Sequence, residues 1–267
     1  MRQNHAKDKL CQQQTVIGCA LQHFRSSEVA RALAASGFDY LFIDCEHTGF
    51  NLETVQDMIA ASLQAGITPL VRVGELLYSL ISRVLDVGAQ GIILPRVASG
   101  RELEQAISWI RFPPAGTRGF GIMAPVLDYK QHSFQEIIEH LNANTLVVVQ
   151  FETREAIERC EELLSVPGFD VALVGPSDLS VSLGVPGQFD HPVLVRAVMR
   201  LIEACEARRI APGIQCRNPA QAMPWLERGM RVIGVGSELT LLLEKARETI
   251  ISMRSVGQVA TAAPTRV

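Results

Sequence analysis

The sequence lacks several features that mark common classes of protein. Its 267 residues contain no CxxC pair and no uninterrupted apolar stretch of the ~18 residues that suggest a transmembrane helix. Neither sign of charge dominates, because 25 lysines and arginines stand against 28 aspartates and glutamates, for a formal net charge of −3. No basic stripe or acidic tail interrupts this balance. These absences argue against a membrane or nucleic-acid partner and favour a small-molecule ligand.

Six cysteines are present, and none has the spacing of a zinc site. They lie mostly inside apolar stretches, which is typical of unreactive free thiols in a reducing compartment. The amino terminus, MRQNHAKDKLCQQQ, has basic residues but not the apolar core of a signal peptide. We therefore predict a cytoplasmic location.

Short runs of β-branched residues alternate with longer segments of helical periodicity, which is the pattern of repeated βα units and a parallel sheet. With 48% hydrophobic residues the chain could form one α/β barrel or two small domains, and one domain is the simpler interpretation. Strands are predicted at 15–22, 40–44, 68–72, 91–94, 146–152, 171–174, 211–214 and 232–235. Eight such units predict a single-domain (β/α)8 TIM barrel, because a doubly wound sheet of this length usually has fewer strands.

The barrel is predicted to occupy residues 15–253, between an N-terminal extension of residues 1–14 and a flexible tail of residues 254–267. The tail is assigned because it has no amphipathic pattern. Residues 111–133 are rich in glycine and proline and are predicted to form a long loop, followed by a helix over 133–141. Long structured loops in compact domains are usually functional.

Polar side chains gather where several predicted strands end. In a TIM barrel the chemistry lies at the carboxyl ends of the strands, so position alone selects candidates. The selected residues are Asp44, Glu46 and His47 after strand two, Arg72 at the end of strand three, Gln150 and Glu152 at the end of strand five, and Ser177 and Asp178 after strand six. All are expected to face one mouth of the barrel.

Gln150 and Glu152 are two positions apart on a strand and therefore point to the same side, toward the barrel interior or its rim. A carboxylate buried there requires a balancing cation, for which Arg72 and a metal ion are the candidates. Asp178 can approach the same point from the next strand. Two carboxylates with open positions favour a hard ion such as Mg²⁺ or Mn²⁺ over zinc. The alternative is that both acids only cap the helices that follow them, with Glu152 also pairing with Arg154.

His47 is the histidine predicted at a strand end, and histidine is the residue type that exchanges protons near neutral pH. It is therefore the candidate general base, with Asp44 or Asp86 as the carboxylate that orients it. Arg72 offers a planar, permanently charged fork that can hold a substrate carboxylate or stabilise an oxyanion. A structural histidine, and an ion pair of Arg72 with Asp44 or Glu46, are the alternatives.

Several motifs, taken in order, resemble a known family. Over residues 15–250 they are FIDCEHTGFN, PLVRV, RVLDVGAQGIILPRV, FPPAGTRGFG, VVVQFET, VGPSDLSVSLG, PGQFDHP and GVGSE. They resemble the metal-dependent, class II pyruvate aldolases of the HpcH/HpaI type, which are 4-hydroxy-2-oxoheptanedioate aldolase-like. The resemblance implies a (β/α)8 barrel that reversibly cleaves 4-hydroxy-2-oxo acids to pyruvate and an aldehyde, with Mg²⁺, Mn²⁺ or Co²⁺ holding pyruvate or its enolate.

The resemblance also implies a role for each matching residue. The implied catalytic residues are His47 as base, Arg72 as stabiliser of the transition state, and Asp44 and Asp86 as supports. The implied substrate contacts are Gln150, Ser177, Asp178 and Arg72, and the implied metal ligands are Glu152 and Asp178. A Schiff base is not expected, because none of the predicted strands contains a lysine and Lys130, in the long loop, is poorly placed for a barrel amine.

Other activities remain open at this stage. RGFGIMAPVLDYK departs from the usual family pattern, so apolar residues and Tyr129 are expected to remodel the part of the pocket that meets the aldehyde. Oxaloacetate decarboxylation to the same enolate, as in a macrophomate-synthase-like branch, and cleavage of a citryl- or malyl-CoA-like ester are the enzymatic alternatives. A phosphate cradle at GIQC and GVGSE is disfavoured, because Glu238 would repel phosphate. A scaffold barrel that binds a structural cation without turnover is the non-enzymatic alternative.

The family resemblance further implies a homo-oligomer, a hexamer or a trimer. The apolar segment LTLLLEKARETIISM near the carboxyl terminus offers a surface that could be buried between subunits. The expected partners are therefore a 2-oxo acid such as pyruvate or oxaloacetate, an aldehyde, and further copies of the chain.

Overall fold

The computed structural model describes the backbone of residues 1–261 and the side chains of residues 1–123 and 125–255. Eight parallel strands form a closed barrel in chain order, with the last strand pairing back to the first. They are β1 (Val16–Leu21), β2 (Tyr40–Asp44), β3 (Thr68–Arg72), β4 (Gly91–Leu94), β5 (Leu146–Phe151), β6 (Val171–Val174), β7 (Ala211–Cys216) and β8 (Val232–Ser237). Every strand of this barrel is covered on both edges by a neighbour.

The first helix precedes the first strand, and the other helices follow strands and pack around the outside of the barrel. They are α1 (His5–Cys11), α2 (Glu28–Ala35), α3 (Leu52–Ala65), α4 (Tyr78–Asp86), α5 (Gly100–Ile110), α6 (Phe134–Asn144), α7 (Arg154–Glu158), α8 (Cys160–Ser165), α9 (Pro176–Ser182), α10 (Pro192–Glu206), α11 (Pro219–Glu227) and α12 (Glu238–Thr261). Local capping explains their limits. At the start of α3 the Asn51 side chain accepts a hydrogen bond from the Thr54 N–H at 3.0 Å, and Gly66 ends the helix in the left-handed conformation with φ 78°.

The strands bury both of their faces, and this is why they read as continuous apolar runs. On β2, Tyr40 and Phe42 point into the barrel, whereas Leu41 and Ile43 pack against the surrounding helices. Gly18 on β1 leaves the room that the Tyr40 ring fills, because a Cβ at Gly18 would lie 2.2 Å from that ring. The barrel interior is therefore a packed core rather than a channel.

Helix α1 closes the end of the barrel at which the strands begin. Ala6 and Leu10 are buried in the same interior cluster as the inward-facing strand residues. The Ala6 N–H donates to the hydroxyl of Thr68, the first residue of β3, at 3.2 Å. The segment predicted as an N-terminal extension is thus packed onto the barrel.

Asn4, which caps α1, is fully buried at this closed end. Its Nδ2 donates to the carbonyl oxygens of Gln90 and Asn144, each at 2.8 Å. Its Oδ1 accepts from the N–H of Lys7 at 3.0 Å and from the hydroxyl of Thr68 at 3.3 Å. The Asn4 side chain therefore ties α1 to the ends of three loops.

The predicted TIM barrel is confirmed, and all eight predicted strands are present. Strands β7 and β8 each continue two residues beyond their predicted ends, to Cys216 and Ser237. The predicted helix over 133–141 is α6, for which Ser133 is the cap. The predicted boundary at residue 253 is not a helix end, because α12 continues to Thr261, and the rest of the predicted tail lies outside the described residues.

All six cysteines lie in the described part of the chain and are free. Burial raises the pKa of Cys216 to about 12, and burial with a nearby thiol raises that of Cys205 to about 12 as well. These thiols therefore stay protonated, as the sequence predicts for unreactive core cysteines. Within residues 1–261, no helix combines the length and the apolar character that crossing a membrane requires. The cytoplasmic location remains a prediction.

Candidate active site

A cavity of about 580 Å³ opens at the end of the barrel where the strands finish. Of the residues predicted from the sequence, those that line it are His47, Arg72, Gln150, Ser177 and Asp178. Asp44 and Glu152 contact this lining, because Asp44 accepts a hydrogen bond from Arg72 and Glu152 accepts one from Gln150. The predicted mouth therefore gathers most of the candidate residues.

Arg72 is the centre of the buried charges at this mouth and is only 6% exposed. Its Nε and Nη2 donate to the two oxygens of Asp44, at 2.9 and 2.7 Å. Its Nη1 lies 3.1 Å from Glu46 Oε2 and donates to Gln150 Oε1 at 3.5 Å. The two-point contact with Asp44 fixes the plane of the guanidinium, so Arg72 presents its remaining N–H groups toward the cavity in a defined direction.

Asp44 is held ionised by its surroundings. Burial opposes its ionisation, but hydrogen bonds from Arg72, from Gln22 and from the Glu46 N–H outweigh burial and lower its pKa. The Gln22 amide donates to Oδ2 at 3.0 Å, and the N–H groups of Glu46 and His47 donate to Oδ1 at 3.0 and 3.4 Å. Asp44 is therefore a counterion for Arg72 that also fixes the backbone before the candidate base.

Glu46 is a buried member of the site to which the sequence assigned no role of its own. Its side chain is 5% exposed and contacts two cations, with Oε1 2.7 Å from Arg96 Nε and Oε2 3.1 Å from Arg72 Nη1. Its Oε1 also lies 3.6 Å from Nε2 of His47. Glu46 is therefore the carboxylate that lies beside the imidazole within the chain.

His47 lines the cavity with half of its side chain exposed. Asp44, one of its two predicted supports, reaches the backbone N–H of His47 rather than the ring. Asp86, the other predicted support, is the last residue of α4 and pairs with Arg118, whose Nη2 donates to Oδ1 at 2.7 Å. Within one chain the structure therefore does not bring Asp86 to His47, and the carboxylate beside the His47 ring is Glu46.

Asp86 has a local explanation. A helix that follows a strand in this barrel runs back toward the amino ends of the strands, so the end of α4 lies away from the mouth. Burial raises the pKa of Asp86 against the opposing hydrogen bond and charge of Arg118. Arg118 is itself buried, at 3% exposure, and stacks on Phe112 at 4.5 Å. In the single chain, Asp86 serves to fix the 111–133 loop.

Glu152 is buried just after β5, and the charge of Arg72 opposes only part of the cost of that burial. Its Oε1 accepts from the Arg96 N–H at 3.0 Å and its Oε2 accepts from the Gln150 amide. Burial raises its pKa against that backbone hydrogen bond, and the charges of Glu46 and Asp178 raise it further. The capping interpretation is wrong, because Thr153 caps α7.

Ser177 and Asp178 lie in the first turn of α9 and are exposed to the cavity. The start of α9 has no side-chain cap, so the interpretation of Asp178 as a helix cap is also wrong. Gly175, just before the helix, leaves open space beside Glu152, because a Cβ there would lie 3.1 Å from Glu152 Oε2. Glycine at position 175 therefore leaves room for the Glu152 carboxylate.

These donors fit a hard divalent cation. Glu152 and Asp178 supply carboxylate oxygens beside an open cavity, and their mutual repulsion raises the pKa of buried Glu152 in addition to burial itself. A bound cation would relieve that excess of negative charge. Among the described residues, no group of three or more histidine, cysteine, aspartate or glutamate side chains could hold a metal ion. The fit is thus to an ion that keeps water or substrate oxygens as its other ligands.

The far side of the cavity is formed by β7, β8 and the start of α12. Glu238, at that start, accepts hydrogen bonds at Oε1 from the N–H groups of Gln22, His23 and Phe24. The carboxylate therefore fixes the loop after β1, which also orders the Gln22 amide against Asp44.

The 111–133 loop does not contribute to the cavity as expected. Tyr129 is 80% exposed and Phe120 and Met123 are also exposed, and none of the three lines the cavity of the described chain. The expectation that this segment remodels the aldehyde pocket is therefore wrong for the single chain. Gln215, on β7, lines the cavity instead and was missed because the predicted strand ended at residue 214.

Comparison with known proteins now decides the family. A family model described as HpcH/HpaI aldolase/citrate lyase matches residues 23–244. The chain belongs to this family. The HpcH/HpaI resemblance of the sequence motifs is thereby confirmed, and the protein is a lyase of the aldolase kind.

Relatives of known name and structure agree with the HpcH/HpaI assignment. A protein of Salmonella dublin named 4-hydroxy-2-oxo-heptane-1,7-dioate aldolase is 36% identical over 243 residues, which are 91% of this chain and 92% of that protein. The HpcH/HpaI aldolase of Desulfitobacterium hafniense DCB-2 superposes with a TM-score of 0.88 at 26% identity, covering 93% of this chain and 96% of that one. An HpcH/HpaI aldolase/citrate lyase family protein of Burkholderia cenocepacia J2315 gives 0.87 at 30% identity, covering 94% and 99%.

Proposed function

We propose that this HpcH/HpaI enzyme reversibly cleaves 4-hydroxy-2-oxo acids to pyruvate and an aldehyde. One observation carries the proposal: the buried, two-point-bound Arg72 and the two carboxylates Glu152 and Asp178 line or adjoin one cavity. An oxo acid offers to such a site a carboxylate and a carbonyl oxygen that gains negative charge during cleavage. The named relative supports the same donor, because its name describes a 2-oxo dioate.

A divalent ion is the proposed cofactor, with Glu152 and Asp178 as the residues that would hold it. When bound, the ion would supply positive charge that stabilises the enolate oxygen of pyruvate. Mg²⁺ and Mn²⁺, with Co²⁺ as a further candidate, share the preference for oxygen ligands that these residues offer. Neighbouring Gln150 would donate to the oxo acid, and Ser177 would contact it from the rim.

The proton transfers are assigned to His47. In the cleavage direction the imidazole accepts the proton of the 4-hydroxyl, the bond between C3 and C4 breaks, and the electron pair remains on the pyruvate fragment as an enolate. Protonation of that enolate at C3 completes pyruvate. Glu46, 3.6 Å from Nε2, is the carboxylate that stabilises the imidazolium, and Arg72 stabilises developing negative charge on the substrate.

The proposal is tested most simply with oxaloacetate, whose decarboxylation forms the same enolate without an aldehyde. Pyruvate formation is expected with Mg²⁺ or Mn²⁺, and EDTA is expected to abolish it. Glu152→Ala is expected to lower kcat/KM by about 10³-fold or more. Glu155→Ala, an exposed glutamate on α7, is the matched control and is expected to retain the activity. Decarboxylation that persists in EDTA and in Glu152→Ala would refute the metal assignment.

His47 requires a separate measurement. His47→Ala is expected to lose most aldol cleavage, by about 10²- to 10⁴-fold, while the affinity for Mn²⁺ is retained. Metal binding is measured by titration followed by electron paramagnetic resonance of free Mn²⁺. A variant that cleaves at the full rate would reassign the base.

We further propose a homo-oligomer, either hexamer or trimer. Its basis is a set of exposed apolar side chains on α12, namely Leu242, Leu243, Ile250, Ile251 and Met253. Light scattering coupled to size exclusion measures the mass directly. A monomer at micromolar concentration would refute the proposal.

A further inference from the structure

Arg96 contacts two buried carboxylates at the mouth of the barrel, one through its backbone and one through its side chain. Its N–H donates to Glu152 Oε1 at 3.0 Å, and its Nε donates to Glu46 Oε1 at 2.7 Å. Both glutamates are buried, whereas the Arg96 side chain is 61% exposed. Arg96 therefore connects a proposed metal ligand, Glu152, with a second carboxylate that is not a proposed ligand.

The backbone of Arg96 has a conformation that is uncommon for an arginine. Its φ is 52°, in the left-handed region that glycine enters freely and other residues enter rarely. A glycine at this position could keep the hydrogen bond from the N–H to Glu152 and would lose the contact with Glu46. What the arginine adds at this strained position is therefore its hold on Glu46.

The positive charge of Arg96 also lies within reach of both proposed metal ligands. The hydrogen bond and the charge of Glu46 raise the pKa of Arg96 most, and the charges of Glu152 and Asp178 raise it further. A permanent cation in this position offsets part of the negative charge that attracts a divalent ion. Arg96 therefore opposes cation binding through its charge.

Glu46 has both of its carboxylate oxygens turned toward arginines. Its Oε1 accepts from Arg96, and its Oε2 lies 3.1 Å from Arg72 Nη1. The charge of Glu46 raises the pKa of Glu152, so these two carboxylates are close enough to repel each other. A free carboxylate near a hard cation is a potential ligand. As the described side chains lie, however, no three acidic, histidine or cysteine groups form a metal site, so Glu46 stands outside the donor set.

We propose that Arg96 is a positioning residue that holds Glu46 away from the divalent cation, so that coordination positions stay open for the oxo acid. This inference rests on the proposed metal-dependent function, because it concerns the ligands of that cation. An octahedral ion with two protein carboxylates has positions left for substrate oxygens and water, and a third carboxylate would take one of them. The expected cost of this arrangement is weaker binding of the cation.

Titration of the full-length protein with Mn²⁺, with free Mn²⁺ measured by electron paramagnetic resonance, tests that cost. Arg96→Met keeps the stem of the side chain and removes the guanidinium, so the Kd for Mn²⁺ is expected to fall by about fivefold or more. Arg96→Lys keeps the charge and should have a Kd closer to that of the wild type. Arg101→Met, which removes an exposed arginine from the first turn of α5, is the matched control and should stay within about twofold. An unchanged Kd in Arg96→Met would overturn the proposal.

A double-mutant cycle with Glu46→Gln separates the positioning of Glu46 from the charge of Arg96. In the wild type Glu46 is engaged by arginines, so Glu46→Gln removes a charge from the site. In Arg96→Met the same change would also remove a ligand, and it is expected to weaken Mn²⁺ binding by about threefold more than in the wild type. Equal factors in the two backgrounds would mean that Arg96 acts by charge alone, which would overturn the positioning role.

Water proton relaxation in the Mn²⁺-loaded protein gives a direct measure of the coordination. It reports how many exchangeable water molecules the ion retains. Arg96→Met is expected to lose about one of them, because Glu46 would take its place, and Arg96→Met with Glu46→Gln should regain it. The same number of waters in Arg96→Met as in the wild type would overturn the proposal.

Failure of the proposed function gives a different result from failure of this inference. If the wild-type protein binds no Mn²⁺ and forms no pyruvate from oxaloacetate with Mn²⁺ added, the metal-dependent function fails and the role of Arg96 fails with it. If the wild type does both, and Arg96→Met matches it in Kd and in the number of waters, the role of Arg96 alone fails.

Discussion

At the closed end of the barrel, the fully buried Asn4 side chain makes four hydrogen bonds, whereas three buried oxygen atoms at the open end have no hydrogen-bond partner among the described residues. Those oxygens are Gln215 Oε1, Glu238 Oε2 and Glu46 Oε2, the last of which lies 3.1 Å from Arg72 Nη1 as an ion pair without hydrogen-bond geometry. Buried polar groups that lack partners cost free energy, so a fold tolerates them only where something compensates. The layer around Asn4 is thus fully hydrogen-bonded, whereas the mouth contains carboxylate and amide oxygens that are not.

This difference indicates that the closed end contributes mainly to stability and the open end mainly to chemistry. At the closed end, Lys7 Nζ donates hydrogen bonds to the Thr145 carbonyl oxygen and to the Asp170 carboxylate. At the open end, Arg72 pairs with both oxygens of Asp44, whereas Glu152 accepts hydrogen bonds only from neutral donors and the charge of Arg72 offsets only part of its burial. Such an arrangement leaves an excess of negative charge around Glu152, at the expense of the stability of the protein.

The largest expected effect tests whether the open end controls activity. Arg72→Lys keeps the charge but loses the two-point contact with Asp44, so kcat/KM for pyruvate formation is expected to fall by about 10³-fold. Steady-state kinetics with oxaloacetate measures the change. Arg231→Lys makes the same exchange near the start of β8, where Arg231 donates to Gln13 at 2.8 Å, and is expected to leave kcat/KM within about twofold. Equal losses in both variants would erase the distinction between the two ends.

The next effect should change stability without changing chemistry. Asn4→Ala leaves two carbonyl oxygens, one N–H and one hydroxyl at the closed end without their partner, and is expected to lower the free energy of unfolding by about 2–4 kcal/mol. Urea denaturation followed by circular dichroism measures the loss. Gln12→Ala, at an exposed position after α1, should cost under about 0.5 kcal/mol. Loss of kcat in folded Asn4→Ala would show that the closed end takes part in catalysis.

A smaller effect of opposite sign is expected from neutralising Glu152. Burial and the nearby charges of Glu46 and Asp178 raise the pKa of Glu152, so the folded protein binds its proton more tightly than the unfolded chain does. The resulting stability is fully present below the ordinary glutamate pKa and is lost as the pH rises through the raised value. Without divalent ions at pH 7, Glu152→Gln is therefore expected to be about 1 kcal/mol more stable than the wild type, although inactive.

Denaturation in EDTA between pH 4 and pH 8 checks this sign for Glu152→Gln, using pH values that span the window. The wild-type protein should lose stability relative to the variant as the pH rises. Glu155→Gln, on the exposed side of α7, should follow the wild-type curve. A Glu152→Gln protein that is less stable than the wild type at pH 7 would mean that the carboxylate already has a compensating partner.

The smallest expected effect concerns a partly exposed ion pair at the closed end. Lys7 Nζ lies 3.1 Å from Asp170 Oδ1, with the two side chains 16% and 28% exposed. Lys7→Met is expected to lower the free energy of unfolding by about 0.5–1 kcal/mol, less at high salt because the pair is partly screened. Lys9→Met should cost less than that, because the Lys9 side chain that pairs with Asp39 is 46% exposed. Thermal unfolding at low and high NaCl separates the two.

The fold followed from the sequence because its determinants are local. A β-branched run, a cap and a glycine stop each act within a few residues, and their regular alternation specifies the barrel. The ends of the strands were harder to predict from the sequence. Because β7 was ended at residue 214, Gln215 escaped the rule that alternate strand residues point inward, although the spacing Ala211, Gly213, Gln215 carries that signal.

The details of the site depended on side-chain directions that no local pattern encodes. Glu46 lies within the motif FIDCEHTGFN and was named as a possible partner of Arg72, but its place between Arg72 and Arg96 requires the strand register and the positive φ of Arg96, 52°. Asp86 could have been separated from the mouth beforehand, since a helix after a strand returns to the amino end of the barrel. The residue roles assigned to His47, Glu152 and Asp178 remain predictions that the experiments above test.

Because α1 closes one end of the barrel, substrates can enter and products can leave only at the other end. In the described part of the chain the barrel is open at one end only. Arg72 and Gln150 are buried at that end, with 6% and 5% exposure. Pyruvate bound at Arg72 and Gln150, as proposed above, would have to enter before an aldehyde that binds nearer the rim, and in cleavage the aldehyde would leave first. This order of binding predicts an ordered kinetic mechanism with pyruvate as the first substrate. An unreactive aldehyde analogue should therefore be an uncompetitive inhibitor with respect to pyruvate.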